Sequence, residues 1–497
     1  MRKSCLLPVI LILILFAHGC ASLVSQQFIT ESARPAEDER FFTELDAAVS
    51  RAGASNAAYF RVTGFPYLRA DRFLVSLKDR LNTDDRKKHW VSWMQQLDIE
   101  ARQTEIQNLP ASAVEKMAAG FGFDADRNML QEKVIYYSGK LLAHDRLRPN
   151  FYDVLQKVVQ SSDEYSTFMR IFGLYPIASI PVAAATDHVF GEIAAWHRLA
   201  PEARQVRGTL TAYGLAEDAD FSIAQIQQIL QRSSQNPLGV PRPSADDQKM
   251  LLAVFAPVII QDLAGAYDRI GALAWSQKQL EVDSKNPTVY YYFTNAYFKG
   301  EPILQINYVF WFSARSGSLA PRIERGHLDG LTVRVSLSPE GSPFMVDVMN
   351  NCGCYHFFAP REEKVKRMLP SAFATDAFVP TALPNDFPRE RLTLRLNSGW
   401  HQVENIRARK RPAKFIAYNL ISYRQLEMLP RSVNANESMF TSSGIGKYSE
   451  RIEPLIFFPM GIPDIGSMRQ RGHHAVKFVG RAHFDDPHIF DRNFEFK

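Results

Sequence analysis

The sequence predicts an α+β protein, in which an N-terminal helical domain is followed by an antiparallel β-sandwich domain. Over residues 37–272 the apolar residues recur every three or four positions, which is the period of an amphipathic helix. After about residue 286 apolar and polar residues alternate, which is the period of a strand. The 497 residues are 46% hydrophobic and 22% charged, a globular composition that excludes disorder and collagen. Helices followed by strands along the chain are typical of the α+β class.

Residues 1–19 have the pattern of a secretory signal peptide. Two basic residues precede an apolar run over residues 6–16, which is shorter than the roughly 20 residues that a membrane-spanning helix needs. The small residues before Cys20 resemble the lipobox of bacterial lipoproteins, in which the cysteine is acylated, for example with palmitate, and begins the mature chain. Because Ala21 follows instead of Asp, the resemblance implies an outer-membrane lipoprotein that faces the periplasm or the cell surface. The alternative is signal cleavage without a lipid.

The next segment is predicted to be a tether that leads into the helical domain. Residues 20–36 are mostly small and polar, and the helical domain follows over residues 37–272. In this domain Trp90, Met94 and Leu97 form an apolar stripe behind a helix cap at residues 82–85, where acidic residues occupy the first turn. Further helices are predicted over residues 112–119, 125–143, 150–161, 218–233 and 245–254.

One apolar run interrupts this pattern at residues 171–185. It is too short to span a bilayer, and Pro176 and Pro181 both fall inside it. The run is therefore predicted to be a buried, kinked segment, with an interfacial membrane element as the alternative.

The β-sandwich domain is predicted over residues 287–497. In residues 331–338 the apolar side chains are expected to face the core, and Thr332, Arg334 and Ser336 to face solvent. The turn at residues 338–342 leads to a return strand at 344–348, so these strands are predicted to form a hairpin. Further strands are predicted over residues 303–312, 391–397, 401–406, 454–459 and 474–480.

A cluster of basic residues lies near the middle of the predicted β domain. On a membrane-tethered protein it predicts binding to an anionic lipid, to lipopolysaccharide or to another acidic envelope polymer. The alternative is a solvated loop, and nucleic acid is excluded as a partner by the predicted compartment. The cluster consists of Arg407, Arg409, Lys410, Arg411 and Lys414.

The residues with most chemical potential are Cys352, Cys354 and His356. On a strand these alternate residues share one face, and two thiolates with an imidazole are suitable ligands for Zn²⁺ or Cu(I). Candidates for the fourth metal ligand are His327 and His483, together with His473 and His474. Two other hypotheses remain open: a strained Cys352–Cys354 disulfide, and two inert buried thiols.

Several stretches resemble the β-domain of a family related to vacuolar-protein-sorting proteins. The counterparts are Ala-Pro-Val at residues 256–258, Val-Phe-Trp-Phe at 309–312, His-Leu-Asp-Gly-Leu at 327–331 and Gly-Arg-Ala-His at 480–483. The resemblance implies a β-sandwich fold and no particular activity.

Three functions are consistent with these patterns. The first is a lipid-anchored cell-envelope protein that acts as a non-enzymatic binding or scaffolding module. The second is a Zn- or Cu-dependent hydrolase that uses Cys352, Cys354 and His356, and the third is a redox-active Cys352–Cys354 protein. The sequence leaves open whether the protein is an enzyme. It contains no P-loop, Rossmann, nucleophile-elbow or zincin motif.

Overall fold

The computed structural model describes residues 24–30, 33–217, 221–277, 279–371 and 374–497. The predicted signal peptide, Cys20 and residues 21–23, 31 and 32 of the predicted tether therefore lie outside the described residues, whereas residues 24–30 of the tether are helical. Among the described residues, none of the helices has the length and apolar character needed to cross a membrane. The chain forms two compact units: the described residues up to Ser162 with Asn434–Glu437, and Asp163–Val433 with Ser438–Lys497.

Helices and strands both contribute substantially, so the predicted α+β class agrees with the structure at this coarse level. The helices are α1 (Ala36–Arg51), α2 (Arg72–Ser76), α3 (Asp84–Gln107), α4 (Ala111–Phe121), α5 (Arg127–Asp145), α6 (Phe151–Val158), α7 (Thr167–Phe172), α8 (Tyr175–Arg198), α9 (Ile223–Ser233), α10 (Ala245–Phe255), α11 (Glu453–Phe457) and α12 (Ile489–Asn493). The strands are β1 (Phe60–Val62), β2 (Phe65–Ala70), β3 (Thr209–Leu215), β4 (Val258–Leu263), β5 (Ala272–Trp275), β6 (Leu280–Asp283), β7 (Thr288–Phe298), β8 (Glu301–Arg315), β9 (Gly326–Leu337), β10 (Pro343–Asn350), β11 (His356–Pro360), β12 (Val365–Met368), β13 (Arg391–Leu396), β14 (Val403–Arg409), β15 (Ile416–Ser422), β16 (Leu429–Ser432), β17 (Ala435–Glu437) and β18 (Phe494–Phe496).

In the first unit, helix α3 packs against strand β2. The Thr83 side chain caps α3 by accepting a hydrogen bond from the backbone N–H of Arg86 at 3.3 Å, as the sequence predicts. The predicted stripe of Trp90, Met94 and Leu97 is buried. The same helix also buries Asp98 and Glu105, which pair with Arg69 of β2 at 3.0 and 2.8 Å. These ion pairs join helix to strand.

A ten-stranded sheet dominates the second unit, in the order β11-β10-β9-β8-β7-β15-β3-β4-β13-β14. The sheet is curled and mixed, because β15 pairs in parallel with both β7 and β3, and β13 pairs in parallel with β4. The prediction of an antiparallel sandwich is therefore not confirmed. Alternating apolar residues indicate that a segment is a strand, but they carry no information about its direction.

The compact units do not coincide with the two predicted domains. Strands β3 and β4 lie within the stretch predicted to be helical, yet both belong to the central part of the sheet. The division between the units therefore falls at residue 162, and not between 272 and 287. Helices α9 and α10, which the sequence does predict, lie between the two strands and bury their apolar faces in the core of the sheet.

The predicted hairpin of β9 and β10 is present, with Val335 opposite Val346. Contrary to the prediction, Thr332, Arg334 and Ser336 are buried. The C-terminal segment covers this face of the sheet: Arg334 donates a hydrogen bond to the carbonyl of Phe484 at 2.6 Å, and its guanidinium lies 3.6 Å from the centre of the Phe484 ring. A polar face is thus enclosed by a second layer.

Three predicted segments differ in the structure. Residues 454–459 fall in α11 and a short 3-10 helix instead of a strand, and residues 474–480 contain a single isolated bridge residue, Ala475. The apolar run at 171–185 is mostly exposed instead of buried, and helix α8 continues through Pro181. Pro176 occupies the first turn of α8, where its missing N–H is not needed.

Candidate functional site

Cys352 and Cys354 lie in the turn that joins β10 to β11, and not on a strand as predicted. The turn is closed by a hydrogen bond from the N–H of Asn350 to the carbonyl of Tyr355 at 3.0 Å. Gly353 has a φ of 84°, and a Cβ at this position would collide with the carbonyl oxygen of Ala475. The N–H of Cys354 donates to the Sγ of Cys352 at 3.3 Å. The turn, and not the strand period, therefore brings the two cysteines together.

Both cysteines are free thiols and both are buried. They belong to an apolar cluster that includes Trp311, Leu328 and Met468. Free cysteines in such surroundings ordinarily pack as small apolar side chains. Solvent therefore has little access to either sulfur.

A group of buried ionisable residues occupies the same part of the second unit. Arg315, at the end of β8, donates two hydrogen bonds to Asp329 of β9, at 3.1 and 2.9 Å. Its third donor reaches Glu324 at 2.7 Å. These strands are paired with Arg315 opposite Gly326, so the antiparallel register places the guanidinium beside both carboxylates. Bidentate contacts of this kind are the strongest form of arginine–carboxylate pairing.

His401 bridges two of the carboxylates. Its Nδ1 lies 2.8 Å from Asp329 and its Nε2 lies 3.2 Å from Asp268. The imidazole also stacks on Phe312, with ring centres 3.9 Å apart. Burial lowers the pKa of His401, but the hydrogen bonds and charges of the two carboxylates outweigh this effect and raise the pKa overall. The histidine therefore favours the imidazolium form, in which both nitrogens donate.

The remaining hydrogen-bond positions of these carboxylates are also occupied. Glu324 accepts from Trp400 at 2.9 Å and from Tyr355 at 2.6 Å. Asp268 accepts from the Ser398 hydroxyl at 2.8 Å and from three backbone N–H groups, of which that of Gly399 lies at 2.6 Å. Together these ionisable residues are called the buried charge network below. Its members are Asp268, Arg315, Glu324, Asp329 and His401.

The network influences the ionisation of its neighbours. Burial raises the pKa of Cys352, but the hydrogen bond from Cys354 and the positive charge of Arg315 bring it down to about 7. The pKa of Cys354 is raised well above its usual value, first by that hydrogen bond and then by burial. Burial, followed by the charges of Cys352 and Glu324, raises the pKa of Glu453 to about 8. Cys352 is thus the more acidic thiol, and Glu453 holds a proton at neutral pH.

The structure does not bring the predicted metal ligands together. His356 contacts Asp347 at 2.8 Å, His327 contacts the carbonyl of Leu280 at 2.6 Å, and His483 approaches Asp163 at 3.5 Å. Among the residues described here, no group of three or more His, Cys, Asp or Glu side chains is placed to hold a metal ion. Within the predicted set, the Cys354 N–H contacts the Cys352 Sγ at 3.3 Å.

The predicted basic cluster lies at the end of β14 and in the loop that follows. Arg409, Lys410 and Lys414 are exposed, whereas Arg407 is partly buried. Arg411 donates to the carbonyls of Leu215 and Ala216 at 2.6 and 2.8 Å, and is therefore partly used in holding the loop.

Most of the buried charge network escapes detection from the sequence. His401 follows a Ser-Gly-Trp turn, and Asp268 follows Ala-Tyr, without any recognisable spacing between them. The one available signal is that Arg315 and Asp329 lie at the ends of strands with long apolar runs, where a buried charge requires a partner.

The fold and the site define an α+β protein with a large mixed sheet and a closed, buried charge network. Comparisons of the chain with protein-family models, with curated proteins and with solved structures find no match in any of the three.

Proposed function

We propose that this protein is a lipid-anchored cell-envelope protein whose body is a non-enzymatic binding or scaffolding module. The basic and apolar pattern of residues 1–19, followed by Cys20, supports attachment to the outer membrane with the body facing the periplasm or the cell surface. The observation that carries the non-enzymatic part is the burial of the charge network, whose members are paired with one another and shielded from solvent.

A catalytic group must reach a substrate, and its working atom must be available. The oxygens of Asp329 accept from Arg315 and His401, and those of Glu324 accept from Arg315 and two aromatic side chains. A carboxylate held in this way is a poor general base, because proton uptake would break a buried ion pair. The same contacts connect β8, β9 and the loops at residues 268 and 401, which is a stabilising role.

The basic cluster is the proposed binding surface. Arg409, Lys410 and Lys414 are exposed and lie close together in the sequence, so their charges add at short range. The ligand class is an anionic polymer or lipid of the envelope, such as lipopolysaccharide. Nucleic acid is not a partner in this compartment.

The anchor is tested by metabolic labelling with an alkynyl palmitate analogue and by sequencing the mature N-terminus. Wild-type protein and a Cys5→Ser control should incorporate the label and float with outer membranes, whereas Cys20→Ser should not be labelled. A native protein that still begins at Met1 and fractionates with soluble cytosol would contradict the proposal.

The non-enzymatic assignment is tested by metal analysis of untagged protein. One equivalent of Zn or Cu that is lost in Cys352→Ser would overturn this assignment.

A second candidate function is thiol–disulfide exchange, which the lowered pKa of Cys352 beside Cys354 favours and which requires the turn to open, because both sulfurs are buried. The Cys352 thiolate would attack a disulfide of a partner protein and release one partner thiolate. Cys354, after losing its proton to solvent, would then displace the second partner thiolate and leave a Cys352–Cys354 disulfide. Two thiols that stay countable after incubation with an oxidised dithiol protein would exclude this reaction; loss of both, restored by dithiothreitol and absent in Cys354→Ser, would support it.

A further inference from the structure

The second unit carries a large exposed apolar surface on α7, the first half of α8 and α11. The exposed fractions are high for side chains of this size. They are 63% for Phe168, 68% for Phe172, 62% for Leu174, 69% for Ile177, 69% for Ile180 and 86% for Leu455. These residues are called the apolar patch. Contiguous exposed apolar surface of this extent on a folded protein ordinarily marks an interaction site.

The apolar patch is held in place by specific contacts. The Ser166 side chain caps α7 through the N–H of Met169 at 3.2 Å, and the Ser166 N–H donates to the carbonyl of Gly461 at 2.6 Å. Arg170 donates to the carbonyl of Met460 at 2.9 Å. A Cβ at Gly173 would collide with Pro459, so the glycine permits α7 to approach the 3-10 helix Phe458–Met460. The apolar side chains therefore project from a rigid base.

The charge around the patch is compatible with an anionic surface. Residues 165–186 and 454–463 contain no Asp or Glu, and Arg170 is the single charged residue in both stretches. Two of its donors are directed at the backbone carbonyls of Met460 and Gly480. An anionic lipid headgroup that approached the patch would meet no carboxylate from either stretch, and the acidic residues Asp163 and Asp187 lie just outside the first of them.

The length of the uncharged helix determines how it would meet a bilayer. Residues 175–186 form the uncharged half of α8, and at 1.5 Å per residue they extend about 18 Å. The hydrocarbon core of a bilayer is about 30 Å thick, so this half is too short to cross it. None of residues 175–192 is buried in the protein. An exposed apolar segment of this length can lie along the surface of a bilayer but cannot cross it.

We propose that the apolar patch inserts into the headgroup–acyl boundary of a lipid bilayer, with α8 lying in the plane of the membrane. The inference rests on the proposed envelope location, which places a membrane within reach of the body. It adds a second, non-covalent contact with the bilayer to the lipid at Cys20. Two such contacts would add in membrane binding.

The test places an environment-sensitive fluorophore on the patch and on a matched control position. Ile177→Cys carries the probe in the patch, and Leu147→Cys carries it at an exposed leucine in the first unit, 79% exposed. Both variants are made in the full chain with Cys5→Ser and Cys20→Ser, so that the introduced cysteine takes up the fluorophore. Cys352 and Cys354 are left in place because they are buried. The vesicles contain phosphatidylethanolamine and phosphatidylglycerol at 3:1, with nitroxide-labelled lipids as quenchers.

On addition of vesicles, the probe at Ile177 should shift to shorter wavelength and be quenched by nitroxides near the headgroups, while the probe at Leu147 should show neither change. Adding Ile180→Glu and Phe172→Glu to the labelled chain should weaken this response by about tenfold or more, because two apolar side chains are lost. Vesicle binding with no change at Ile177 would overturn the inference. A shift that depends on protein concentration without vesicles would assign the patch to a second copy and also overturn it.

These outcomes are distinct from failure of the anchor. The fluorophore reports contact between the patch and lipid in a chain that has no Cys20. Palmitate labelling of the wild-type chain reports the anchor without involving the patch. A labelled wild type with an unresponsive Ile177 probe would leave the anchor standing and remove the patch proposal alone.

Discussion

Asp329→Asn is the most direct test of the role of the buried charge network. Asp329 accepts two hydrogen bonds from Arg315 and one from His401, and burial, overcome by the charge of Arg315, leaves its pKa well below the usual range. The amide removes one negative charge between two buried cations and presents a donor where an acceptor is needed. Breaking one partner of a buried ion pair costs about 3–5 kcal/mol in the free energy of unfolding.

The expected readout is the melting transition of the second unit. At about 2 °C per kcal/mol for a unit of this size, Asp329→Asn should lower its midpoint by about 6–10 °C. Differential scanning calorimetry is the suitable assay, because two compact units need not melt together. The matched control is Asp386→Asn, which breaks an exposed pair with Arg389 at 2.7 Å and should cost about 0.5 kcal/mol or less.

The double variant Arg315→Met with Asp329→Asn, measured together with the two single variants, gives the coupling energy between the two side chains. Because the side chains pair directly, the double variant should lose less stability than the sum of the two single variants. If Asp329→Asn melted at the same temperature as Asp386→Asn, the network would not stabilise the fold and the reasoning above would be refuted.

Three further predictions follow from the same region and from the basic cluster. Glu453 has a folded-state pKa of about 8, above its unfolded value, so its contribution to stability is full at low pH and is lost as pH rises from about 4.5 through 8. In Glu453→Gln the melting temperature should therefore change less with pH over that range than in the wild type. Curves of melting temperature against pH that run parallel for the two proteins would contradict this. Gly353→Ala should lower the thermal stability of the protein more than Gly300→Ala. Both glycines have a positive φ, 84° and 79° respectively, but only the Cβ added at Gly353 would meet another atom. Equal losses of stability in the two variants would show that φ alone matters. Lys410→Glu with Lys414→Glu should weaken binding to immobilised lipopolysaccharide and reduce the salt dependence of that binding. The control Arg389→Glu, which also changes an exposed cation, should have neither effect. Unchanged binding in the double variant would exclude the basic cluster as the binding surface.

Local patterns were sufficient for part of the fold. The cap at Thr83 and the stripe of Trp90, Met94 and Leu97 were predicted correctly, because both depend on residues within one or two turns of each other. The hairpin of β9 and β10 was predicted for the same reason, since its register is set by a short turn.

Features that depend on a second layer were not predictable. Arg334 alternates with apolar residues as a solvent-facing side chain would, yet Phe484, distant in sequence, covers it. The opposite error occurred at residues 171–185, where apolar composition predicted burial but the chain leaves α8 exposed. The type of a residue indicates whether its side chain tends to be buried or exposed, but the packing of segments distant in sequence decides its actual environment.

The candidate site also combines features that local sequence predicts with features that depend on distant segments. The sequence places Cys352 and Cys354 near each other, but the turn at Gly353 brings the two residues into contact, and Arg315 helps to lower the pKa of Cys352. Among the described residues the predicted metal set is not assembled into a site, and His356, His327 and His483 each contact a different partner. The buried charge network joins residues 268, 315, 324, 329 and 401, and no local signal connects them.

The linear order of residues was enough to determine the α+β composition, the helix cap and the hairpin, because each depends on short-range periodicity or on a few neighbouring residues. The parallel pairings in the sheet, the enclosure of Arg334, the assembly of the buried charge network and the exposure of α8 were decided by tertiary structure. Each of these requires segments tens to hundreds of residues apart to meet. That meeting depends on the combined burial of many side chains, which no single stretch of the chain encodes.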